Sequence, residues 1–203
     1  IDLGGGYDTL NLAWQANGVT VKNVENVIGS SDNDAITIAN TAGTTTVTGG
    51  GGADVINASA ATDVIRFTSA SDSSVATGID TVNNFDAGLD TFQLAGVAGL
   101  TGPIHFMASG VLDGTVGTPQ SEAILSGNQL QIDVNGDGTI GAGDITVTLN
   151  GLTGALRDAN FSIIYSGDSG DNTLNGTAFN DRFQGFAGND TINGGDGFDR
   201  AIY

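Results

Sequence analysis

Cysteine is absent from the 203-residue chain, and basic residues are scarce: five lysines and arginines and one histidine. Without cysteine there are no disulfides and no thiol chemistry, although bound metal can stabilise an extracellular protein in their place. Because 23 acidic residues give a formal net charge of −18, the composition argues against nucleic-acid binding and against anionic membranes.

Glutamate is nearly absent as well, since only two of the acidic residues are not aspartate. Helix-forming residues are few, whereas the 33 glycines and the many β-branched residues favour turns and strands. The sequence therefore predicts an almost entirely β protein. It contains no apolar run of about twenty residues and no signal peptide, so it predicts no transmembrane segment.

Catalytic motifs are missing too. The chain has neither H-E-x-x-H nor G-x-S-x-G, and its single histidine, His105, has no partner residues in the sequence. We expect His105 to be a packed residue and the chain not to be an enzyme.

A nine-residue repeat fills the C-terminal stretch from Gly167 to Ile202. Its four units read GDSGDNTLN, GTAFNDRFQ, GFAGNDTIN and GGDGFDRAI. Glycines at the first, second and fourth places permit tight turns, and three strand residues follow in which the eighth place is buried. Two units complete one coil of a solenoid. This spacing predicts that Asn172 stacks over Asp190 and Asp181 over Asp199.

Further copies of the unit occur nearer the N-terminus, and the strong one among them is GGGGADVIN, residues 49–57. Their sixth places hold Asp8, Asp34, Asp54, Asp63 and Asp72, of which the last three are nine residues apart. The same arithmetic predicts that Asp54 stacks with Asp72. The turns after Gly52 lack glycine, so a calcium site and a metal-free turn both remain open there. Solvated turn aspartates are the general alternative, but the strict spacing argues against them.

These units resemble the RTX family of secreted bacterial proteins, whose hemolysin-type nonapeptide repeats bind Ca²⁺ in a parallel β-roll. The resemblance implies several calcium ions between stacked turns, and metal-coupled folding. It implies ligands at the first, third, fifth and sixth places, namely Gly167, Ser169, Asp171, Asn172, Gly176, Ala178, Asn180, Asp181, Gly185, Ala187, Asn189, Asp190, Gly194, Asp196, Phe198 and Asp199, and at the earlier aspartates.

Residues 78–94 resemble the segment that closes the roll in serralysin-type C-terminal domains and in alginate epimerase modules. We expect its apolar residues Phe85, Leu89, Phe92 and Leu94 to cap the core, since a solenoid needs a terminal cap. Its aspartates, Asp80, Asp86 and Asp90, are either cation ligands or solvated turn carboxylates.

The segment DVNGDGTIGAGD, residues 133–144, matches the EF-hand calcium loop. The predicted ligands are Asp133, Asn135, Asp137, Thr139 and Asp144, with aspartate where the pattern has glutamate. Alternating strand patterns on both sides predict a β-hairpin loop rather than an EF-hand. The loop is also similar to the dockerin repeat, but that repeat's following helix and second copy are missing.

The sequence thus predicts three domains: an N-terminal roll (1–77), a capping β-domain (78–166) and a second roll (167–203). We expect a segment of a longer bacterial protein, exported by type I secretion, with a structural role in a surface layer or adhesin. The alternatives are an accessory module of a secreted protease, lipase or epimerase, and a carbohydrate-binding module using Trp14 and Tyr7. Expected partners are calcium and either like copies or a glycan.

Overall fold

The computed structural model describes residues 1–100, 102–108, 110–112, 121–176 and 181–202. The chain winds as a flattened coil, with successive strands placed alternately in two facing sheets. Parallel pairing between successive coils dominates both sheets, which confirms the predicted all-β roll.

The first sheet has eight parallel strands in the spatial order β1-β3-β5-β7-β9-β14-β16-β18. It continues across both predicted domain boundaries, and the three-domain division stays a prediction. The strands are β1 (Thr9–Asn11), β3 (Asn26–Ile28), β5 (Thr44–Thr48), β7 (Thr62–Phe67), β9 (Thr91–Ala95), β14 (Phe161–Ser166), β16 (Arg182–Gln184) and β18 (Arg200–Ile202).

The second sheet has the order β10-β11-β12-β13-β8-β6-β4-β2. Two antiparallel strands extend its parallel part. β12 pairs with the free edge of β13, and β11 pairs with β12. The strands are β2 (Gly18–Val21), β4 (Ala35–Ile38), β6 (Val55–Asn57), β8 (Asp80–Asn83), β10 (His105–Phe106), β11 (Glu122–Ser126), β12 (Gln129–Asp133) and β13 (Ile145–Asn150).

The hairpin formed by β12 and β13 changes how the coil continues after it. Because β12 already pairs with β13, the next strands on that side, β15 (Thr173–Asn175) and β17 (Thr191–Asn193), form a separate two-stranded parallel sheet. Two short 3₁₀ turns, Ala70–Asp72 and Asp158–Asn160, lie in the connections.

The core lies between the sheets because alternate strand residues point inward. Its centre is an aromatic stack in which the Phe92 ring lies 4.4 Å from Phe85, 6.5 Å from Phe67 and 6.0 Å from Phe161. Of the four predicted cap residues, Phe85, Phe92 and Leu94 are fully buried. The prediction for Leu89 is wrong, since it is 47 % exposed in the turn between β8 and β9.

Asparagines form a ladder on the outer face of the second sheet. The Asn83 amide donates to Asn57 at 2.9 Å, and the Asn150 amide donates to Asn83 at 3.1 Å. These contacts join β6, β8 and β13, so the capping strands are tied to the preceding coils by side chains as well as by backbone.

Candidate calcium sites

A ladder of aspartates runs along the second sheet, at the turn just before each strand. The backbone N–H of Asn17 donates to Asp34 Oδ1 at 2.7 Å, 17 residues away. The N–H of Asp34 donates to Asp54 Oδ1, and that of Asp54 to Asp80 Oδ1, both at 2.8 Å across 20 and 26 residues. Each carboxylate is thereby fixed against the coil that precedes it.

An equivalent ladder precedes the strands of the first sheet. The N–H of Asp63 donates to Asp90 Oδ1 at 2.8 Å, and the N–H of Asp8 donates to Glu25 Oε2 at 2.8 Å. Sequence reasoning missed Glu25, because neither its residue type nor its turn matches the repeat. The one feature of the sequence that could have identified Glu25 is its position directly before a strand of alternating apolar and polar residues.

The same carboxylates also close their own turns. Asp34 Oδ2 accepts from the N–H of Ser30 at 2.7 Å, and Asp90 Oδ2 accepts from that of Asp86 at 2.8 Å. In each case the donor lies four residues earlier in the chain. One oxygen therefore fixes the local turn while the other fixes the stack, which holds the carboxyl group in a set orientation.

The C-terminal coils show the predicted stacking. The N–H of Asn172 donates to Asp190 Oδ1 and that of Asp181 to Asp199 Oδ1, each at 3.0 Å and 18 residues apart. The N–H of Asn189 donates to Asp171 Oδ1 at 2.7 Å. Two of the predicted ligands, Ala178 and Asn180, lie outside the described residues.

The predicted stacking of Asp54 with Asp72 is wrong. Asp54 lies between Asp34 and Asp80, whereas the Asp72 carboxylate accepts from the backbone N–H groups of Thr68 and Ser69 in its own turn. The 3₁₀ turn at Ala70–Asp72 belongs to a longer connection between β7 and β8, so the nine-residue step does not hold there.

Glycines let neighbouring turns approach each other. A Cβ at Gly50 would overlap the carbonyl oxygen of Ser30, and one at Gly194 would overlap the carboxylate of Asp199. At Gly29 the overlap would be with the carbonyl oxygen of Gly49. Backbone carbonyls and carboxylates are thus brought close together in the turns, and these oxygen types are the ligands that Ca²⁺ takes.

Within the described ranges, the buried carboxylates of Asp54, Asp80 and Asp90 form no salt bridge. Burial, together with the charge of nearby aspartates, raises the pKa of Asp54 to about 6 and that of Asp80 to about 8. Burial likewise raises the pKa of Asp90 to about 6. Three buried carboxylate oxygens, Asp8 Oδ2, Asp54 Oδ2 and Asp63 Oδ1, accept no hydrogen bond in the described part of the chain.

Within the described ranges, the one salt-bridge contact joins His105 Nδ1 to Asp158 at 3.2 Å, and both side chains are more than half exposed. His105 is therefore not packed in the core as expected, because β10 lies at the edge of its sheet. Among the residues that the structure describes, Asp54, Asp80 and Asp90 thus have no salt-bridge partner, and a bound cation would supply the missing charge.

The residues 133–144 form the expected hairpin loop between β12 and β13. The Asp133 carboxylate accepts from the N–H of Gly136 at 2.8 Å and from that of Gly138 at 2.6 Å. Asp144 accepts from Val134 at 2.9 Å and from Gly141 at 2.8 Å. Asp137 accepts from the N–H of Thr139 at 2.9 Å. These bonds turn the carboxylates into the loop.

Over the described ranges, no three histidine or acidic side chains form a ready metal cluster. Sites of the β-roll type do not need one, since backbone carbonyls between stacked turns provide part of the ligand set. In the same ranges, no helix is long and apolar enough to cross a membrane.

Comparison with protein families agrees with this geometry. The model of the Peptidase M10 serralysin C-terminal region matches residues 2–163. The chain belongs to this family. The model of the RTX calcium-binding nonapeptide repeat matches residues 166–201 as four copies. A comparison with curated proteins finds no significant match.

Membership of the serralysin C-terminal family confirms the resemblance noted in the sequence. Calcium is the cation that these repeats bind, and the chain is a calcium-binding RTX module of a type I secreted, extracellular protein. Both matched models describe non-catalytic parts of serralysin-type proteins.

Proposed function

We propose that this serralysin C-terminal module is a non-catalytic element whose fold is completed by calcium after export. The observation that carries this proposal is the ladder of buried carboxylates at Asp34, Asp54 and Asp63, in which Asp54 Oδ2 and Asp63 Oδ1 accept no hydrogen bond within the described residues. Buried carboxylates without cations oppose folding, so a bound cation contributes folding free energy at these positions.

Calcium would be held by the turn aspartates and the carbonyls beside them. In the N-terminal coils the ligands would come from the turns of Asp8, Asp34, Asp54, Asp63 and Asp72. In the C-terminal coils they would come from the four nonapeptide turns, with Asp181, Asp190 and Asp199 as the carboxylates. The ion would neutralise these carboxylates, and backbone carbonyls of the turns would complete its coordination.

Such sites can act as a secretion switch. Extracellular calcium sites bind with a Kd on the order of 10⁻⁴ to 10⁻³ M. At low cytosolic calcium the acidic turns would stay empty and repel one another, which keeps the chain loose for export. Outside the cell, millimolar calcium would fill the sites and drive folding.

A calcium titration of the metal-free chain, followed by far-UV circular dichroism, tests this function. We expect a cooperative gain of β-signal with calcium and none with magnesium, which dehydrates reluctantly and demands octahedral geometry. A full β-signal without calcium, with no ions bound on dialysis, would contradict metal-completed folding.

The leading role for the module is structural, in a surface-layer or adhesin protein, because roll-and-cap units suit repetition. The serralysin match favours a second parent, a secreted enzyme that carries the module as an accessory part. Sequencing the surrounding gene separates the two. Further roll-and-cap copies on both sides support the structural role, and an upstream catalytic motif supports the enzyme.

A carbohydrate-binding role is favoured by one feature of the N-terminal coils. Trp14 is 92 % exposed and lines a groove of about 340 Å³ with Leu12, Gly29, Ser30 and Ser31. Exposed aromatic rings beside polar groups suit sugar rings. Glycan-array binding that is lost in Trp14→Ala but kept in Phe198→Ala would support this role, and no binding by the unaltered module would remove it.

A further inference from the structure

Basic side chains gather on the outer face of the first sheet. Three of the five lysines and arginines lie in its strands: Arg66 in β7, Arg182 in β16 and Arg200 in β18. Ile65 and Phe183, beside Arg66 and Arg182 in the chain, are buried in the core, so both arginines point outward. Arg200 pairs directly with Arg182 and therefore points the same way. We call the outer side of β7, β9, β14, β16 and β18 the arginine face.

The strands of the first sheet contribute no acidic side chain to this face. As the structure describes them, they contain one aspartate or glutamate, Asp63, which is fully buried and lies on the same side as Ile65. The described strands of the second sheet contain no lysine or arginine. Positive charge is therefore concentrated on one sheet of a chain whose net charge is −18.

The guanidinium groups on this face lack counter-charges. Arg66 Nε donates to Gln93 Oε1 at 2.7 Å, whereas Arg182 Nε is buried with no hydrogen-bond partner among the described residues. In the described ranges none of the three arginines forms a salt bridge. Burial lowers the pKa of Arg66, the Tyr7 hydroxyl opposes this shift, and the positive charge of Arg182 adds to it. Guanidinium groups that repel each other and have no acidic partner favour a bound anion.

The layout of the face indicates a chain-like ligand. Neighbouring strands are about 4.8 Å apart, so the four steps from β7 to β18 extend over about 19 Å. Between the arginines lie the amides of Gln93 and Gln184 and the hydroxyl of Ser162, which can bond to sugar hydroxyls. Tyr7, whose hydroxyl acts on Arg66, is 79 % exposed and offers an aromatic ring for a sugar to pack on.

Other polyanions fit this surface less well. An extended peptide would add to a free sheet edge, but the arginines lie on a face whose backbone groups are already paired between strands. Nucleic acid and anionic membranes carry dense charge over a wide area, which the net charge of −18 repels. A linear polymer with spaced anionic groups can follow the row of arginines and avoid the acidic turns.

We propose that the arginine face binds an extracellular acidic polysaccharide, whose carboxylate or sulfate groups contact the guanidinium groups of Arg66, Arg182 and Arg200. A guanidinium group presents parallel N–H donors that match either oxyanion. The site uses different residues from the groove at Trp14 and from the calcium-binding turns, and it does not rest on the proposed calcium-driven folding. It gives the module an anchoring role that depends on where its few positive charges lie.

The first experiment asks whether the whole chain binds such polymers. In saturating calcium, binding to immobilised polygalacturonate, dextran sulfate, neutral dextran and polyglutamate is measured by biolayer interferometry over a range of salt concentrations. We expect binding to polygalacturonate or dextran sulfate that weakens with salt, and none to neutral dextran. The polymer that binds more tightly identifies carboxylate or sulfate as the recognised group. Absence of binding to both, or equally tight binding to polyglutamate, would overturn the proposal.

A matched pair of variants tests the position of the site. Arg200→Gln and Lys22→Gln each remove one positive charge from an exposed side chain, and Lys22 follows β2 in the second sheet. We expect Arg200→Gln to weaken binding about 10-fold at low salt, and to reduce the slope of log affinity against log salt by about one. Lys22→Gln should leave both quantities unchanged. Equal losses would mean that binding follows net charge, which contradicts the arginine face.

A variant of Arg182 tests how the anion is held. Arg182→Lys keeps the positive charge but removes the forked donors, including the buried Nε, so we expect a loss of affinity. Unchanged affinity would overturn the role of Arg182 as a ligand. Calcium-dependent far-UV circular dichroism checks the fold of each variant, and Arg200→Gln decides the proposal if Arg182→Lys misfolds.

Discussion

The N-terminal coils and the C-terminal coils stack by the same hydrogen bond but differ in what supports it. In residues 1–95 the bonded positions lie 17, 20, 26 or 27 residues apart, whereas in residues 167–202 they lie 18 apart. The irregular coils enclose a continuous apolar core. Among the described C-terminal residues, Phe183 is the one fully buried hydrophobic side chain past Ile164.

This difference shows two ways to stabilise one architecture. A coil with a large core tolerates insertions and lost glycines, because burial of apolar side chains holds its strands together. A coil with a thin core depends on its turns, and those turns must keep the nine-residue motif in order to bind calcium.

Removal of calcium should produce the largest effect and should act unequally on the two regions. With excess chelator, we expect hydrogen exchange to lose nearly all protection in residues 167–202, while peptides covering β5, β7 and β9 keep part of theirs. Exchange measured by mass spectrometry on peptides from both regions checks this. Equal loss in the two regions would contradict the contrast.

The second-largest effect should come from shortening core side chains, and it should differ between the two regions. Phe92→Ala removes the centre of the aromatic stack, and we expect it to cost about 3–5 kcal/mol of unfolding free energy in saturating calcium. Phe183→Ala should destabilise the C-terminal coils and leave exchange in β5 and β7 unchanged. Urea unfolding measures the first effect, with Val75→Ala, which is 58 % exposed, as the control.

The pH dependence of the metal-free protein should follow the buried aspartates. Their pKa values rise on folding, from 3.8 to about 6 at Asp54 and Asp90 and to about 8 at Asp80. Stability is therefore fully present below pH 3.8 and is lost as pH rises through 6 and then 8, with about 3 kcal/mol of the loss from each of Asp54 and Asp90 and more from Asp80.

Calcium should reverse this slope, since its ligands must be ionised. Unfolding followed from pH 5 to 8, with chelator and with calcium, gives the two curves. Asp80→Asn should flatten the chelator curve above pH 6, because the amide oxygen can still accept the N–H of Asp54. An unchanged curve would mean that Asp80 is not the titrating group.

The smallest effect concerns the turn glycines. Gly50 has φ +101° and Gly188 has φ +120°, and in both a Cβ would overlap a carbonyl of the neighbouring coil. We expect Gly50→Ala and Gly188→Ala to cost about 2 kcal/mol each, with the second also lowering calcium affinity. Gly43 has φ +83° in open space, so Gly43→Ala isolates the backbone strain, at about 1 kcal/mol. Thermal unfolding ranks the three.

Sequence periodicity predicted the regular part of the molecule well. The stacking of Asn172 with Asp190 and of Asp181 with Asp199 followed from the nine-residue step alone. The hairpin around residues 133–144 was also predicted, because both flanks alternate with period two. Local rules were sufficient in these places.

Prediction failed where contacts depend on inserted residues. The pairing of Asp54 with Asp80 spans the 3₁₀ turn at Ala70–Asp72, and no periodic signal announces a coil lengthened to 26 residues. Leu89 looked like a core residue by type, but its place depends on the turn geometry at Asp86. The placement of β15 in a separate sheet depends on the pairing of β12 with β13, which no local pattern near β15 indicates.

The direction of the aspartate ladder gives the stack two unlike ends. At the places just before the strands, each bridging carboxylate comes from the later coil and each donor N–H from the earlier one, whereas the bond from Asn189 to Asp171 runs the other way. A coil added before an existing one therefore finds acceptors already in place, whereas a coil added after it must bring its own. Assembly that proceeds from the C-terminal side leaves fewer backbone donors exposed at each step, so the completed coil acts as a template with a built-in polarity.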